Sequence, residues 1–133
     1  MGLLLEDIAA YIDTSATFTS GTNLFAGDLP PTPDELVTLY EYPGVGPVDT
    51  FGAVKPTVSR PRVQVLARGL SYEVGRALIM EVHALLCAVM GATTVGTGTF
   101  HRIAPIQDPF FLSRDESERV SFACNYEIWK VPE

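Results

Sequence analysis

Hydrophobic and polar positions recur along this chain with two different periods, and each change of period marks the edge of an element. Leu3, Leu4, Asp7, Ile8, Tyr11 and Ile12 fall mostly at i, i+4 and i+8, which predicts a short amphipathic N-terminal helix. The Ser/Thr/Gly-rich run from Thr14 to Thr22 ends it. "NLFAGDLPPTPDE" reads as a brief extended piece followed by a loop stiffened by prolines. "LVTLYEY" is a strand rich in β-branched and aromatic residues, stopped by Pro43-Gly44. From Val45 to Ser59 no period survives, and Gly46, Pro47, Gly52 and Pro56 predict a long loop.

Period two returns in "RPRVQVLARG". Val63, Val65 and Ala67 share one face; Arg62, Gln64, Leu66 and Arg68 share the other. Gly69 closes this strand, and Ser71 is a candidate N-cap with Glu73 in the first helical turn. The main helix is expected to reach about Met90, burying Val74, Leu78, Val82, Leu85 and Val89, with Glu73, Arg76 and His83 on its opposite side. Gly91 is the expected terminator. A Gly/Thr-rich loop precedes a strand around Phe100 to Ile106. In the last strand Val120, Phe122, Cys124, Tyr126 and Ile128 face one way, and Ser121, Asn125, Glu127 and Trp129 the other. The short connection through "DESE" suits an antiparallel hairpin. The pattern predicts an α+β chain: an antiparallel sheet with two helices packed on one face and a long loop between strands.

Length and composition narrow this picture. The 133 residues are enough for one domain with a real core, and an apolar fraction of 47% fits a globular chain, so residues 1–133 read as a single unit. The most apolar stretch, Ala77 to Met90, is broken by Glu81 and His83 and is too short for a membrane span. The first ten residues lack a basic start, which predicts a soluble chain that is intracellular at synthesis. Cys87 and Cys124 form no CxxC pair and are expected as reduced, packed thiols. A net charge of −7 disfavours a tight grip on phosphate.

Candidate chemistry is sparse. His83 and His101 are the only histidines, and no further ligands stand at metal spacing. "YPGVGPVDTFG" lacks the Lys-Ser/Thr ending of a phosphate loop, and no serine sits in a nucleophile elbow. Neither a cofactor nor a metal is expected. Arg114, Asp115, Glu116, Glu118 and Arg119 form a dense charge knot. An acid/base pair needs carboxylates in contrasting environments, which an exposed turn does not offer, so a solvated turn is favoured over an intersubunit patch or catalysis. The sheet face without helices carries Leu66 and Trp129 among Arg62, Gln64, Arg68, Asn125 and Glu127, a mixture that interfaces favour. The candidate interface residues are therefore Phe51 and Val54 in the long loop, Arg62, Leu66, Arg68 and Trp129 on that face, and Arg114, Asp115 and Glu118 in the turn.

"NLFAGDLPPTPDELVTLYEYPG", "RPRVQVLARGLSYEVG" and "PIQDPFFLSRDESERVSFACNYEIW", in this order and spacing, resemble the minor capsid and tail-terminator proteins of long-tailed bacteriophages, over roughly Leu24 to Trp129. The resemblance implies a non-enzymatic α+β virion subunit, made in the host cytoplasm, that assembles as a hexameric ring on the head-proximal end of the tail tube. Such a ring stops tube growth and meets the head connector or a head-completion protein. It has no catalytic residues to carry over. Tyr40 to Gly44, Arg60 and Arg62 then become structural or assembly positions. An acidic chain also suits a ring through which DNA slides without being bound. The alternatives are another neck component, such as a head-completion or connector adaptor protein, and a small acid/base enzyme using Asp115 or Glu118.

Overall fold

A computed structural model describes residues 4–15, 17–48, 58–95 and 98–131. Among the described residues, two helices, α1 (Leu4–Asp13) and α2 (Tyr72–Cys87), accompany seven strands: β1 (Leu24–Ala26), β2 (Leu36–Val48), β3 (Val58–Gly69), β4 (Met90–Val95), β5 (Gly98–Pro105), β6 (Phe110–Arg114) and β7 (Val120–Lys130). They form one sheet in the order β1-β2-β3-β7-β5-β4, with β6 pairing β7. The fold is α+β, as the periodicity predicts. Its sheet is mixed rather than purely antiparallel, because β1 runs parallel to β2.

The strand β7 is the hub. One edge pairs with β3 from Ser59↔Lys130 to Gly69↔Val120. The other edge is shared end to end by β5, which covers its C-terminal half, and β6, which covers its N-terminal half. Alternation then sorts the side chains. Val63, Val65 and Ala67 of β3 and Val120, Phe122, Cys124, Tyr126 and Ile128 of β7 join one buried cluster with Leu4, Ile8, Ala9 and Ile12 of α1 and Ile79, Val82 and Leu86 of α2. Both helices therefore lie on this face, and the Tyr11 hydroxyl ties them together by donating to the Leu85 carbonyl at 3.1 Å.

Several boundaries differ from the sequence reading. The strand β2 does not stop at Pro43-Gly44 but continues to Val48, with register shifts between Tyr42 and Val45 and between Val45 and Val48. Such irregularities are where a strand tolerates Pro and Gly. The strands β2 and β3 thus take up both ends of the loop expected from Val45 to Ser59, and its middle, residues 49–57, lies outside the described residues. The Gly/Thr-rich "loop" contains β4, and α2 ends at Cys87 with Ala88 as C-cap. Gly91 (φ +73°) sits at the irregular start of β4 instead of terminating the helix.

The buried stripe of α2 is Gly75, Ile79, Val82 and Leu86, rotated from the expected one. The cause lies at its first turn. Ser71 caps the helix as predicted, accepting from the Val74 amide at 3.3 Å. Gly75 then lies so close to the sheet that a Cβ there would stand 3.0 Å from the Phe122 ring. A Cβ at Gly69 would meet the Gly75 amide nitrogen at 2.6 Å. Backbone rather than side chain thus seats the helix on the strand. His83, expected on the polar side, is turned inward and lies 2.8 Å from the Tyr126 hydroxyl. Replacing Gly69 with Ala should push α2 off the end of β3 and cost about 1–3 kcal/mol, the usual range for overpacking, as read from urea denaturation.

Candidate assembly interface

The sheet's second face is built by the residues that alternate with the core. Register places Arg62 opposite Glu127, Gln64 opposite Asn125, Leu66 opposite Ala123, and Arg68 opposite Ser121. On the far side of β3, Leu36, Thr38, Tyr40 and Tyr42 stand opposite Arg68, Leu66, Gln64 and Arg62. The two ends of this face are finished in different ways.

At the Arg68 end the face is closed. Leu36, Thr38, Leu66, Arg68, Ser121 and Ala123 are all buried. The segment between β1 and β2 folds back over them. The Arg68 guanidinium donates to the carbonyls of Pro30 (2.9 Å), Pro33 (2.6 Å) and Asp34 (3.2 Å), and the Thr38 hydroxyl donates to the Asp28 carbonyl. Prolines suit this segment, because its carbonyls are wanted as acceptors and their missing N–H groups need no partners. Burial and the neighbouring Arg119 cation both favour a neutral Arg68 and lower its pKa, while Asp115 and Asp34 act in the opposite direction. The expectation that Leu66 and Arg68 belong to an uncovered face does not hold at this end: both are covered by the chain's own loop.

The charge knot belongs to the same construction. It is a hairpin turn between β6 and β7, as expected, but it is tied down. The Glu118 amide donates to the Asp115 carbonyl, and Glu118 takes the left-handed φ of +65° that a bulged hairpin turn requires. The Asp115 carboxylate accepts from the amides of Ser117 (2.9 Å) and Arg119 (2.8 Å) and from the Arg119 guanidinium (2.7 Å). Arg119 also reaches the Pro31 carbonyl at 2.6 Å and the Asp34 carboxylate at 3.2 Å, locking the turn to the covering loop. Partial burial pushes the Asp115 carboxyl up, but these amides and the guanidinium outweigh it and hold the pKa below its ordinary value. A carboxylate so stabilised in its charged form is the opposite of a general acid. Arg114 and Glu118 form only a long, exposed pair at 3.8 Å.

At the Trp129 end the face is half open. The Arg60 guanidinium lies 4.8 Å from the centre of the Trp129 ring and 3.2 Å from the Glu127 carboxylate. Arg62 reaches the same carboxylate at 3.6 Å, and Arg102, which is exposed, stands opposite Trp129 in the ladder. One carboxylate therefore serves two guanidiniums, with a third arginine beside the indole. The Arg62 Nε and the Asn125 and Gln107 side-chain oxygens are buried without a hydrogen-bond partner. The pairing of β2 with β3 runs past β7 at this end, where Val48 pairs with Val58 beyond the last β3–β7 pair. Phe51 and Val54 lie outside the described residues.

A further apolar surface carries no clear sequence signal. Tyr72, Phe111 and Phe122 form an aromatic trio, with Tyr72 and Phe111 about half exposed and Leu70 and Leu112 exposed nearby. The run "FFLS" hints at it only once β6 is recognised as a strand. On the helix side, Cys87 and Cys124 are free thiols flanking His83, and burial pushes the pKa of both up. Among the described residues, no group of three His, Cys, Asp or Glu side chains is placed to hold a metal ion.

The second face of the sheet is thus sealed by the chain's own loop at one end and partly open at the other. A family model described as bacteriophage tail terminator protein matches residues 10–131, and the chain belongs to that family. It is therefore a structural component of the phage tail. Among solved structures, a chain in the virion of a native gene transfer agent particle shares the fold, with a TM-score of 0.56 and 12% identity over 94% of this chain and 84% of that one. Another matches at a TM-score of 0.46 and 16% identity, over 99% of this chain and 100% of its own. No curated protein matches.

The covering loop supplies a direct test of this architecture. Replacing Arg68 with Met keeps the apolar stem but removes all three bonds to carbonyls. It should destabilise the chain by roughly 2–4 kcal/mol, as expected for losing a buried charged donor. Limited proteolysis should then cut within residues 28–35 faster than in the native chain.

Proposed function

We propose that this chain forms a ring on the head-proximal end of the tail tube, stops tube growth there, and presents the surface that meets the head connector or a head-completion protein. One observation carries the reading beyond the family: the half-open end of the second face, where Arg60, Arg62 and Trp129 lie beside the paired ends of β2 and β3. A tube grows because each ring offers the next a matching heterologous surface, and it stops only when something different occupies the growing end. A cap needs the tube's contact on one side and a changed surface on the other. This chain has a rigid sheet for the first task. Its acidic balance leaves a ring lumen through which DNA passes without being gripped.

Replacing Trp129 with Asp puts a charge into the half-open face while leaving the loop-covered end untouched. The variant should fold but lose its oligomeric state, and phage carrying it should make tubes of uncontrolled length without attached heads. Electron microscopy of lysates reads both outcomes. Tubes of normal length, joined to heads, in cells lacking this protein would overturn the terminator role. Tubes of normal length without heads would favour a neck adaptor instead.

A further inference from the structure

We infer that neighbouring copies join head to tail, the acidic hairpin turn of one chain docking on the arginine- and tryptophan-bearing end of the second face of the next. This rests on the ring reading above and specifies which surfaces make the ring. The two features are the beginning and the end of the same strand. The turn at Glu116 and Glu118 leads into β7 at Val120, and Trp129 closes it. Ten residues of extended chain separate Arg119 from Trp129, about 33 Å at the usual strand rise. The turn therefore does not fold back onto the arginine end of its own chain. Contact between them joins two molecules through unlike surfaces, the heterologous geometry that makes a ring when its rotation closes.

Charge selects the partner. At the Trp129 end, Arg60 and Arg62 share a single carboxylate, Glu127, Arg102 stands exposed opposite Trp129, and Arg62 keeps a buried Nε donor without an acceptor. That end is a positive site on a chain of net charge −7. At the turn, Asp115 is spent on Arg119, whereas Glu118 holds Arg114 only at 3.8 Å and Glu116 is exposed. The covering loop adds Asp34 and Glu35, both exposed, beside the turn. The most acidic rigid element thus lies at one end of β7 and an under-neutralised arginine group at the other. The clamp of Arg119 on Pro31 and Asp34 gives the turn a fixed shape to present. Trp129 provides the apolar floor on which a contact between charges becomes specific.

Two charge reversals test the pairing. One variant carries Glu116→Lys and Glu118→Lys; the other carries Arg62→Glu and Arg102→Glu. Each alone should shift the concentration at which oligomers form upward by at least tenfold, as measured by native mass and sedimentation. An equimolar mixture should regain oligomers near the native concentration, because each reversed surface finds its complement on the other variant. Should Arg62→Glu disturb the fold through Glu127, Arg102→Glu alone serves as the mixing partner, since its side chain is exposed. Folded variants that assemble as the native chain does, or a mixture that fails to recover, would overturn this inference and leave the ring intact. A native chain that stays at 14.4 kDa both alone and with tail-tube subunits would overturn the ring itself, and the pairing with it.

Discussion

Two helices packed on one side of a sheet leave the other side to be covered by something else, and most of this structure follows from that constraint. The inward face is settled by ordinary alternation: Val63, Val65 and Ala67 on β3 meet Phe122, Cys124 and Tyr126 on β7 beneath α1 and α2. The outward face alternates equally well but has no helix to receive it. At one end the chain solves this with its own proline-rich segment, held by a buried arginine that uses three backbone carbonyls as acceptors. At the other end the cover is incomplete, and guanidinium, carboxylate and indole groups stand partly exposed.

This division explains why the charged turn is structural without being merely solvated. Asp115 and Arg119 organise the hairpin, and Arg119 then pins the loop that seals Leu66 and Arg68. Substitution there would act on the closed end of the face before it acted on any partner. Glu116 and Glu118 remain outward, so a single hairpin holds both a fixed inner pair and an exposed outer one.

Legibility in the sequence followed the periodicity. The strands β3 and β7 declare both their faces by alternation, and Ser71 announces the start of α2. The cover over Leu66 and Arg68 is silent because it is made through carbonyl oxygens of residues 30–34, which carry no side-chain signature. The extension of β2 beyond Pro43 is hidden because its register shifts at the residues that ordinarily end strands. The rotation of α2 depends on Gly75 approaching Phe122, a contact between distant segments that no local pattern encodes. Of the candidate interface residues, Arg62, Leu66, Arg68 and Trp129 were nominated by their alternation. The structure then separates them, with Arg62 and Trp129 at the half-open end and Leu66 and Arg68 under the loop.

Trp129 is the only tryptophan in the chain and sits where the cover is incomplete, so it reports directly on what completes that cover. The decisive measurement is acrylamide quenching of its fluorescence, compared between the dilute monomer and the assembled oligomer. If a neighbouring copy covers this end of the sheet, assembly should shift the emission to the blue and reduce the quenching constant severalfold. An emission maximum and a quenching constant that do not change on assembly would contradict the account, because the half-open face would then take no part in holding the ring together.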